Sequence, residues 1–225
     1  IFDLQSDLKI LVTPTTGLNH IVLPDAQSYG IKILSLRGEA AFLSSVTSTA
    51  EHAWTLLLAI NRSLMSAGSR VSSGLWKRQG LEVHELSGSR LGLIGMGRLG
   101  RMVVRYGLAF QMEVVGYDPH VASDMFPAGC RKVDLQELLA WSEYVVMLAS
   151  YNPGDQPILG KSEFNSLRLG AVLINVARGE LIDEQALVDA LDDCKIRAFG
   201  ADVLIGDSSW GSNELIGSEI VKRSK

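Results

Sequence analysis

The sequence contains little cysteine and no long apolar run. Only two cysteines, Cys130 and Cys194, occur in 225 residues, and neither has a C-x-x-C partner. This excludes a disulfide framework and favours a reducing cytoplasm. No apolar segment approaches the roughly 18 residues that a membrane span needs, and no signal peptide opens the chain. We therefore expect a cytoplasmic protein without a membrane partner.

Basic charge is not in excess either. The 21 lysines and arginines stand against 25 aspartates and glutamates, which leaves no surplus to neutralise phosphates. We expect no nucleic-acid partner, and no residue cluster in the sequence points to a metal site. The chain begins at Ile1 rather than at a methionine, so we expect a piece of a longer protein.

The sequence does contain a regular alternation of strand and helix patterns. With 47% hydrophobic residues it can bury a real core, and its length allows one or two domains. Alternating strands and helices are typical of a parallel sheet, and continuous apolar strands predict a sheet covered on both faces. The pattern predicts strands at 9–13, 31–36, 91–94, 113–117, 144–149, 171–177 and 198–203, and helices at 48–67, 97–110, 135–140, 161–167 and 184–191.

The helix that follows Ser48 is apolar on more than one side. Ser48-Thr49-Ala50-Glu51 matches a capping box, in which the serine oxygen and the glutamate carboxylate each accept a hydrogen bond from the other residue's backbone N–H. Because its apolar residues cover several faces, the helix is expected to be buried either between two domains or between two subunits.

A glycine-rich motif follows the strand at 91–94. Gly95-Met96-Gly97-Arg98-Leu99-Gly100 matches G-x-G-x-x-G and opens the next helix, which is the context that dinucleotide binding requires. Gly95 allows a tight turn, Gly97 leaves room for a pyrophosphate, and Gly100 lets the helix lie close to the strand. The helix N-terminus offers N–H groups and partial positive charge to the phosphates. The alternative is a glycine-rich turn without a ligand.

Asp118 lies 18 residues after Gly100, just beyond the next predicted strand. A carboxylate there can accept hydrogen bonds from the adenosine ribose hydroxyls, and it would repel a 2′-phosphate. The position favours NAD over NADP. The alternative is an ordinary Asp-Pro turn formed with Pro119.

Charged residues also follow two later strands. Arg178 lies just beyond 171–177, where doubly wound sheets bind ligands, and its guanidinium could grip a carboxylate through two parallel hydrogen bonds. A solvated arginine at a strand end is the alternative. Asp202 ends a strand at the same edge and Asp207 follows five residues later, although either could be a loop carboxylate.

Taken together, these motifs resemble the D-isomer-specific 2-hydroxyacid dehydrogenase family, which includes phosphoglycerate dehydrogenase. The resemblance covers nearly the whole chain, and its carriers occur in the family's order. They are Thr15-Thr16-Gly17-Leu18-Asn19-His20-Ile21, Ser48-Thr49-Ala50-Glu51-His52, Leu93-Ile94-Gly95-Met96-Gly97-Arg98-Leu99-Gly100, Tyr117-Asp118-Pro119, Leu173-Ile174-Asn175-Val176-Ala177-Arg178-Gly179-Glu180 and Ala201-Asp202-Val203-Leu204.

The resemblance implies an α/β protein with a doubly wound Rossmann cofactor domain and part of a flavodoxin-like substrate domain. Residues 1–45 would belong to the partial substrate domain and 46–225 to the NAD-binding domain. The activity implied is hydride transfer between NAD and a D-2-hydroxy acid or its 2-keto acid. The helix after Ser48 resembles the one through which family members form homodimers.

The family's residue roles carry over by position. Gly95, Gly97 and Gly100 match the motif glycines, and Arg98 and Leu99 match backbone donors to the pyrophosphate. Asp118 matches the ribose acceptor, and Val176, Ala177 and Asp202 match contacts around the nicotinamide, with Asp202 on the carboxamide. Arg178 matches the arginine that binds the substrate carboxylate and carbonyl, and Thr16 and Gly17 match the loop whose amides meet that carboxylate.

The sequence departs from the family pattern near the catalytic acid and base. The family orients a histidine with a glutamate; Asp207 occupies the glutamate's position, and the histidine is expected downstream of Lys225. His20, His52, His84 and His120 do not match it and are expected to be structural or solvated. Ala149 replaces a histidine that many relatives carry near the cofactor. These departures favour an alternative function, a dimeric NAD-binding scaffold or corepressor-like sensor without turnover.

Overall fold

The structure, a computed structural model, describes residues 7–18, 20–206 and 219–223. Among these residues the chain divides into two compact units. One contains the residues up to Val46 together with Gly206, and the other runs from Thr47 to Ile205 and includes Glu219–Arg223. The change between the units after Val46 lies one residue beyond the expected domain boundary, and the function assigned to each unit remains a prediction.

The first unit alternates strands and helices. Its elements are β1 (Ile10–Val12), α1 (Leu23–Ser28), β2 (Lys32–Leu34) and α2 (Ala40–Leu43). The two strands pair in parallel, with Ile10 opposite Lys32 and Val12 opposite Leu34. Both strands were predicted from the sequence, one or two residues longer at their ends.

A six-stranded parallel sheet forms the centre of the second unit. Its strands are β3 (Arg90–Ile94), β4 (Glu113–Tyr117), β5 (Cys130–Lys132), β6 (Tyr144–Met147), β7 (Ala171–Asn175) and β8 (Ile196–Ala201). Their spatial order is β5-β4-β3-β6-β7-β8, and every neighbouring pair is parallel. The chain reverses its direction of progress between β3 and β6, which is the switch point of a Rossmann sheet. The predicted fold class is confirmed, although β5 was missed because its Cys-Arg-Lys sequence lacks the apolar run by which the other strands were predicted.

Helices cover both faces of the sheet. On one face lie α3 (Ser48–Asn61) and α5 (Arg98–Ala109); on the other lie α6 (Leu135–Trp141), α7 (Lys161–Ser166) and α8 (Glu184–Asp192), joined by α9 (Glu219–Arg223). Alternate residues of one strand point to opposite faces of the sheet. Leu93 packs with the first set of helices and Ile94 with the second. Both faces are therefore buried, which explains the continuous apolar strands.

The long helix predicted at 48–67 is two helices. Ser63 has a left-handed backbone, with φ +47°, and separates α3 from α4 (Leu64–Ser72). The predicted capping box is also wrong: Ser48 is already helical, and the preceding Thr47 donates its hydroxyl to the Glu51 carboxylate at 2.5 Å. The pattern placed the cap one residue late, because serine is a better capping residue than threonine and Ser48 directly follows Thr47.

The multi-sided apolar character of α3 has its cause inside the chain. Ala50, Ala53, Trp54 and Leu57 are buried against the sheet and α5. Trp54 makes an edge contact with Phe110, with ring centroids 5.1 Å apart. A subunit interface is therefore not needed to explain why this helix is apolar on several sides.

Both cysteines are free, as expected. Cys130 is buried, and burial raises the pKa of its thiol to about 11. The thiol is protonated at neutral pH and packs as a small apolar side chain. No helix within the described ranges is long and apolar enough to cross a membrane.

Candidate functional site

The glycine turn, residues 95–100, joins β3 to α5 at the carboxyl edge of the sheet. Gly95 has a φ of +101°, which L-residues rarely adopt, and its N–H donates to the Tyr117 carbonyl at 2.9 Å. A Cβ at Gly95 would lie only 2.6 Å from the backbone nitrogen of Ala149. Glycine is therefore required here both by the conformation and by the close approach of the chain after β6.

Gly97 and Gly100 have contrasting surroundings. A Cβ at Gly97 would meet no atom within 4 Å, whereas one at Gly100 would lie 2.2 Å from the Gly95 carbonyl oxygen. Helix α5 starts directly after Gly97, at Arg98, so its positive end adjoins an open position. This arrangement fits a pyrophosphate, since the backbone is uncovered where the helix begins. The contacts predicted for Arg98 and Leu99 remain a prediction.

Asp118 lies against the glycine turn. One of its oxygens accepts the Met96 N–H at 2.8 Å, and the other accepts the His120 N–H at 2.9 Å. The second bond is the ordinary turn contact that the alternative interpretation expected, but the first ties the end of β4 to the glycine turn. A carboxylate accepts about four hydrogen bonds, so these two leave capacity for ribose hydroxyls.

The arginine turn, residues 175–179, follows β7 at the same edge. Asn175 is only 1% exposed; its side-chain oxygen accepts the Ala177 N–H at 3.0 Å, and its side-chain nitrogen donates to the Arg178 carbonyl at 2.8 Å. The half-buried Arg178 donates from Nη1 to the Ala177 carbonyl at 2.5 Å. The side chain of Asn175 thus shapes the turn that presents the guanidinium. Sequence reasoning missed this role, although a polar residue ending an apolar strand is a signal for it.

Gly179 joins the arginine turn to the segment after β8. A Cβ at this position would lie 2.2 Å from the Leu204 carbonyl carbon and 2.3 Å from the Ile205 nitrogen. Only glycine allows that backbone contact, which brings the arginine turn against the segment that begins with Asp202. Val176 and Ala177, predicted to contact the nicotinamide, are both buried in the same turn.

Asp202 follows β8 directly and faces an imidazole. The Nε2 of His52, in the first half of α3, lies 3.6 Å from a carboxylate oxygen of Asp202, and both side chains are less than half exposed. Sequence analysis predicted only a structural or solvated role for His52. Nothing in a single sequence pairs residues 150 positions apart, so this contact was not predictable.

Several predicted residues belong to the first unit or fall outside the described ranges. Thr16 is exposed and Gly17 half-buried in the first unit, where the hydroxyl of Thr15 donates to the Gly17 carbonyl at 2.7 Å. His20 lies in that unit too, with its Nε2 3.2 Å from the hydroxyl oxygen of Thr13, in keeping with a structural role. Asp207 lies outside the described residues.

The described part of the chain contains no group of three His, Cys, Asp or Glu side chains that could hold a metal ion.

The carboxyl edge of the six-stranded sheet brings together an open glycine turn, the Asp118 carboxylate, the Arg178 guanidinium and Asp202, each of which follows a strand of that sheet. The structure does not place Thr16 and Gly17 relative to them.

The chain is similar to known proteins over most of its length. Residues 54–221 match the family model of the D-isomer specific 2-hydroxyacid dehydrogenase NAD binding domain. The chain is 33% identical over 205 residues to D-3-phosphoglycerate dehydrogenase of Methanocaldococcus jannaschii, covering 90% of this chain and 38% of that protein. It is 32% identical over 203 residues to hydroxypyruvate reductase of Thermotoga maritima, covering 90% and 64%.

A solved structure is similar to the chain as well. The D-lactate dehydrogenase of Aquifex aeolicus, complexed with NAD and lactic acid, superposes with a TM-score of 0.78 at 28% identity, over 98% of this chain and 67% of that one. The chain belongs to the D-isomer-specific 2-hydroxyacid dehydrogenase family and contains its NAD-binding domain. It spans less than two thirds of the length of the two curated relatives described above.

Proposed function

We propose that the protein containing this chain is an NAD-dependent oxidoreductase that interconverts a D-2-hydroxy acid and its 2-keto acid. The observation that carries the proposal is the open position at Gly97, directly before α5 and within the glycine turn that Asp118 contacts. In this arrangement the backbone around Gly97 to Leu99 would hold the pyrophosphate, and Asp118 would accept the ribose hydroxyls. NAD supplies the hydride chemistry at its nicotinamide ring when it is bound.

Arg178 is the residue we propose for the substrate. One guanidinium hydrogen bond goes to the Ala177 carbonyl, and the remaining donors allow a bidentate grip on a carboxylate. A preorganised cation beside the 2-keto oxygen would also stabilise the negative charge that develops there. Val176, Ala177 and Asp202 would line the nicotinamide side. Thr16 and Gly17, in the proposed substrate-domain unit of residues 1–45, would offer amides to the carboxylate.

The test is a titration with NADH, followed by nicotinamide fluorescence. Gly97→Val should abolish binding and leave the unfolding midpoint nearly unchanged, because the new side chain fills open space that the pyrophosphate needs. Gly68→Val is the matched control, since Gly68 also has no atom within 4 Å of its Cβ position but lies on α4. Undiminished binding by Gly97→Val would contradict the assignment.

An alternative function is an NAD-binding dimeric scaffold or sensor without turnover. The observation that favours it is Ala149, whose backbone lies against Gly95 at the site. Its methyl group stands where the family resemblance implies a histidine near the cofactor. Reduction of 2-keto acids by the full-length protein, measured as NADH consumption, separates the two functions. NADH binding without consumption for any 2-keto acid tried would favour the scaffold.

We also propose a cytoplasmic homodimer. The two free cysteines favour the reducing environment of the cytoplasm. For the interface, α4 and the residues after it carry large exposed apolar side chains: Leu64, Met65, Val71, Leu75 and Trp76, the last 83% exposed. Five large exposed apolar side chains within 13 residues of sequence favour an interaction surface at this helix.

The dimer is tested by light scattering after size exclusion. Trp76→Lys and Met65→Lys should give monomers. Leu169→Lys is the control, because Leu169 is similarly exposed but lies before β7. A dimer that survives both changes on the α4 side would place the interface elsewhere.

A further inference from the structure

We propose that His52 is a positioning residue that orients Asp202 toward the carboxamide of the bound nicotinamide. This inference rests on the proposed function, which gives Asp202 that contact. Its own observation is the 3.6 Å between the His52 Nε2 and an Asp202 carboxylate oxygen.

The fold brings the two residues together through close packing of α3 on β8. Gly200 lies two residues before Asp202, and a Cβ there would lie 2.8 Å from the Cδ1 of Ile60 and 3.6 Å from the Cβ of Leu56. Because β8 lacks a side chain at this point, α3 lies directly on the strand. His52 is one helical turn before Leu56 on the same helix, which carries it to the end of the strand where Asp202 begins the loop.

The partly exposed setting of the His52–Asp202 pair favours a role in orienting Asp202 over a role in stabilising the fold. The carboxylate is 38% exposed and the imidazole 45% exposed, and pairs in such a setting contribute little to folding. A carboxylate in a loop directly after a strand can adopt several rotamers, and an imidazole 3.6 Å from one of its oxygens favours one of them. Since a carboxylate accepts about four hydrogen bonds, contact with the imidazole leaves capacity for an amide N–H of the ligand.

Two ligands separate this role from general damage to the site. NAD carries the nicotinamide, whereas ADP-ribose carries only the part that would meet the glycine turn and Asp118. His52→Ala should weaken NAD binding about 2- to 5-fold, the range that partly exposed pairs give, and leave ADP-ribose binding unchanged. His52→Gln keeps an N–H donor and should restore NAD affinity to within about 2-fold of the original.

A double substitution tests whether His52 acts through Asp202. Asp202→Ala should weaken NAD binding about 10- to 150-fold, the effect of losing a hydrogen bond to a charged acceptor. In that background His52→Ala should add nothing, because coupled residues are not additive. His84→Ala is the matched control, since the exposed His84 lies near Asn61 at the other end of α3, and it should change neither affinity.

The outcomes that would overturn the inference are distinct. An unchanged ratio of NAD to ADP-ribose affinity in His52→Ala, a His52→Gln as weak as the alanine variant, or a full additional loss in the Asp202→Ala background would each contradict it. If the unaltered chain binds neither NAD nor ADP-ribose, the proposed cofactor site itself is wrong. Binding is measured by isothermal titration calorimetry on the full chain, with unfolding midpoints to confirm that each variant is folded.

Discussion

The glycine turn after β3 and the arginine turn after β7 lie at the same edge of one sheet but are built in opposite ways. The glycine turn takes its shape from absent side chains: Gly95 and Gly100 allow backbone contacts that any Cβ would block. The arginine turn takes its shape from a side chain that is present, because Asn175 bonds to two backbone groups of the turn. One turn leaves amides uncovered, and the other presents a guanidinium.

The difference shows how one sheet edge can offer two kinds of binding group. A diphosphate needs a close approach to the main chain, which only glycine allows. A carboxylate needs a directed cation, and a side chain is directed only if the backbone that carries it is held. The arginine turn is also held by another segment of the chain, because Gly179 lies against the backbone of Leu204 and Ile205.

The largest effect is expected from a methyl group on Gly179. Gly179→Ala places a Cβ 2.2 Å from the backbone of Leu204, which cannot move without displacing the segment after β8. We expect a loss of about 3 kcal/mol in the free energy of unfolding, measured by urea denaturation. Gly97→Ala is the control and should change stability by less than about 1 kcal/mol, since its Cβ meets open space. Equal stability of the two variants would show that the turns do not differ in this way.

Asn175→Ala should have the next largest effect. It leaves the Ala177 N–H and the Arg178 carbonyl without their partner in a nearly buried place, and we expect a loss of about 2 kcal/mol. Binding of a 2-keto acid should weaken as well, because Arg178 loses its support. Asn152→Ala is the matched control, since Asn152 also bonds a neighbour, Asp155, but is exposed on a loop. If both asparagine variants lose the same stability, the arginine turn is not held by Asn175.

The two turns also differ in how far the sequence predicted them. The glycine turn was predictable because its requirements are local: a strand, three glycines at fixed spacing and a helix all lie within about a dozen residues. Arg178 was placed correctly at the strand end, but its support was not, because Asn175 acts through bonds that depend on the exact bend of the chain. Gly179 and His52 were missed for a further reason. Their partners, Leu204 and Asp202, are distant in sequence and are brought near only by the folded sheet.

Cys130 gives a pH-dependent test beneath the glycine turn. A Cβ on Gly116 would lie 3.4 Å from the Cys130 sulfur and 2.4 Å from the end of Met96, so the thiol belongs to the packing under that turn. Burial raises the pKa of the Cys130 thiol from 9.0 to about 11, so the unfolded chain loses its proton first as the pH rises. The protein therefore loses stability above about pH 9. Between pH 8 and pH 10 the titration of this thiol should lower the free energy of unfolding by about 1 kcal/mol.

The measurement is urea denaturation of the original chain and of Cys130→Ala at both pH values. Other groups titrate in this range, but they are common to both proteins, so the difference isolates the thiol. Cys130→Ala should lose less stability than the original chain between pH 8 and pH 10. An identical loss in both proteins would mean that the thiol is accessible and that the floor of the glycine turn is open to solvent.

The smallest change in stability is expected from Asp118→Asn, and it sharpens the comparison at the glycine turn. The amide keeps one acceptor oxygen and so loses one of the bonds to the Met96 and His120 N–H groups, which should cost about 1 kcal/mol or less. Because the negative charge that repels a 2′-phosphate is gone, the preference for NADH over NADPH should fall about 3- to 10-fold. Fluorescence titration with both cofactors measures the ratio, and Asp124→Asn, on an exposed residue of the following loop, is the control. If the ratio of NADH to NADPH affinity stays constant while stability falls, Asp118 stabilises the turn but does not select the cofactor. Selection would then depend on the backbone amides that the glycines leave uncovered.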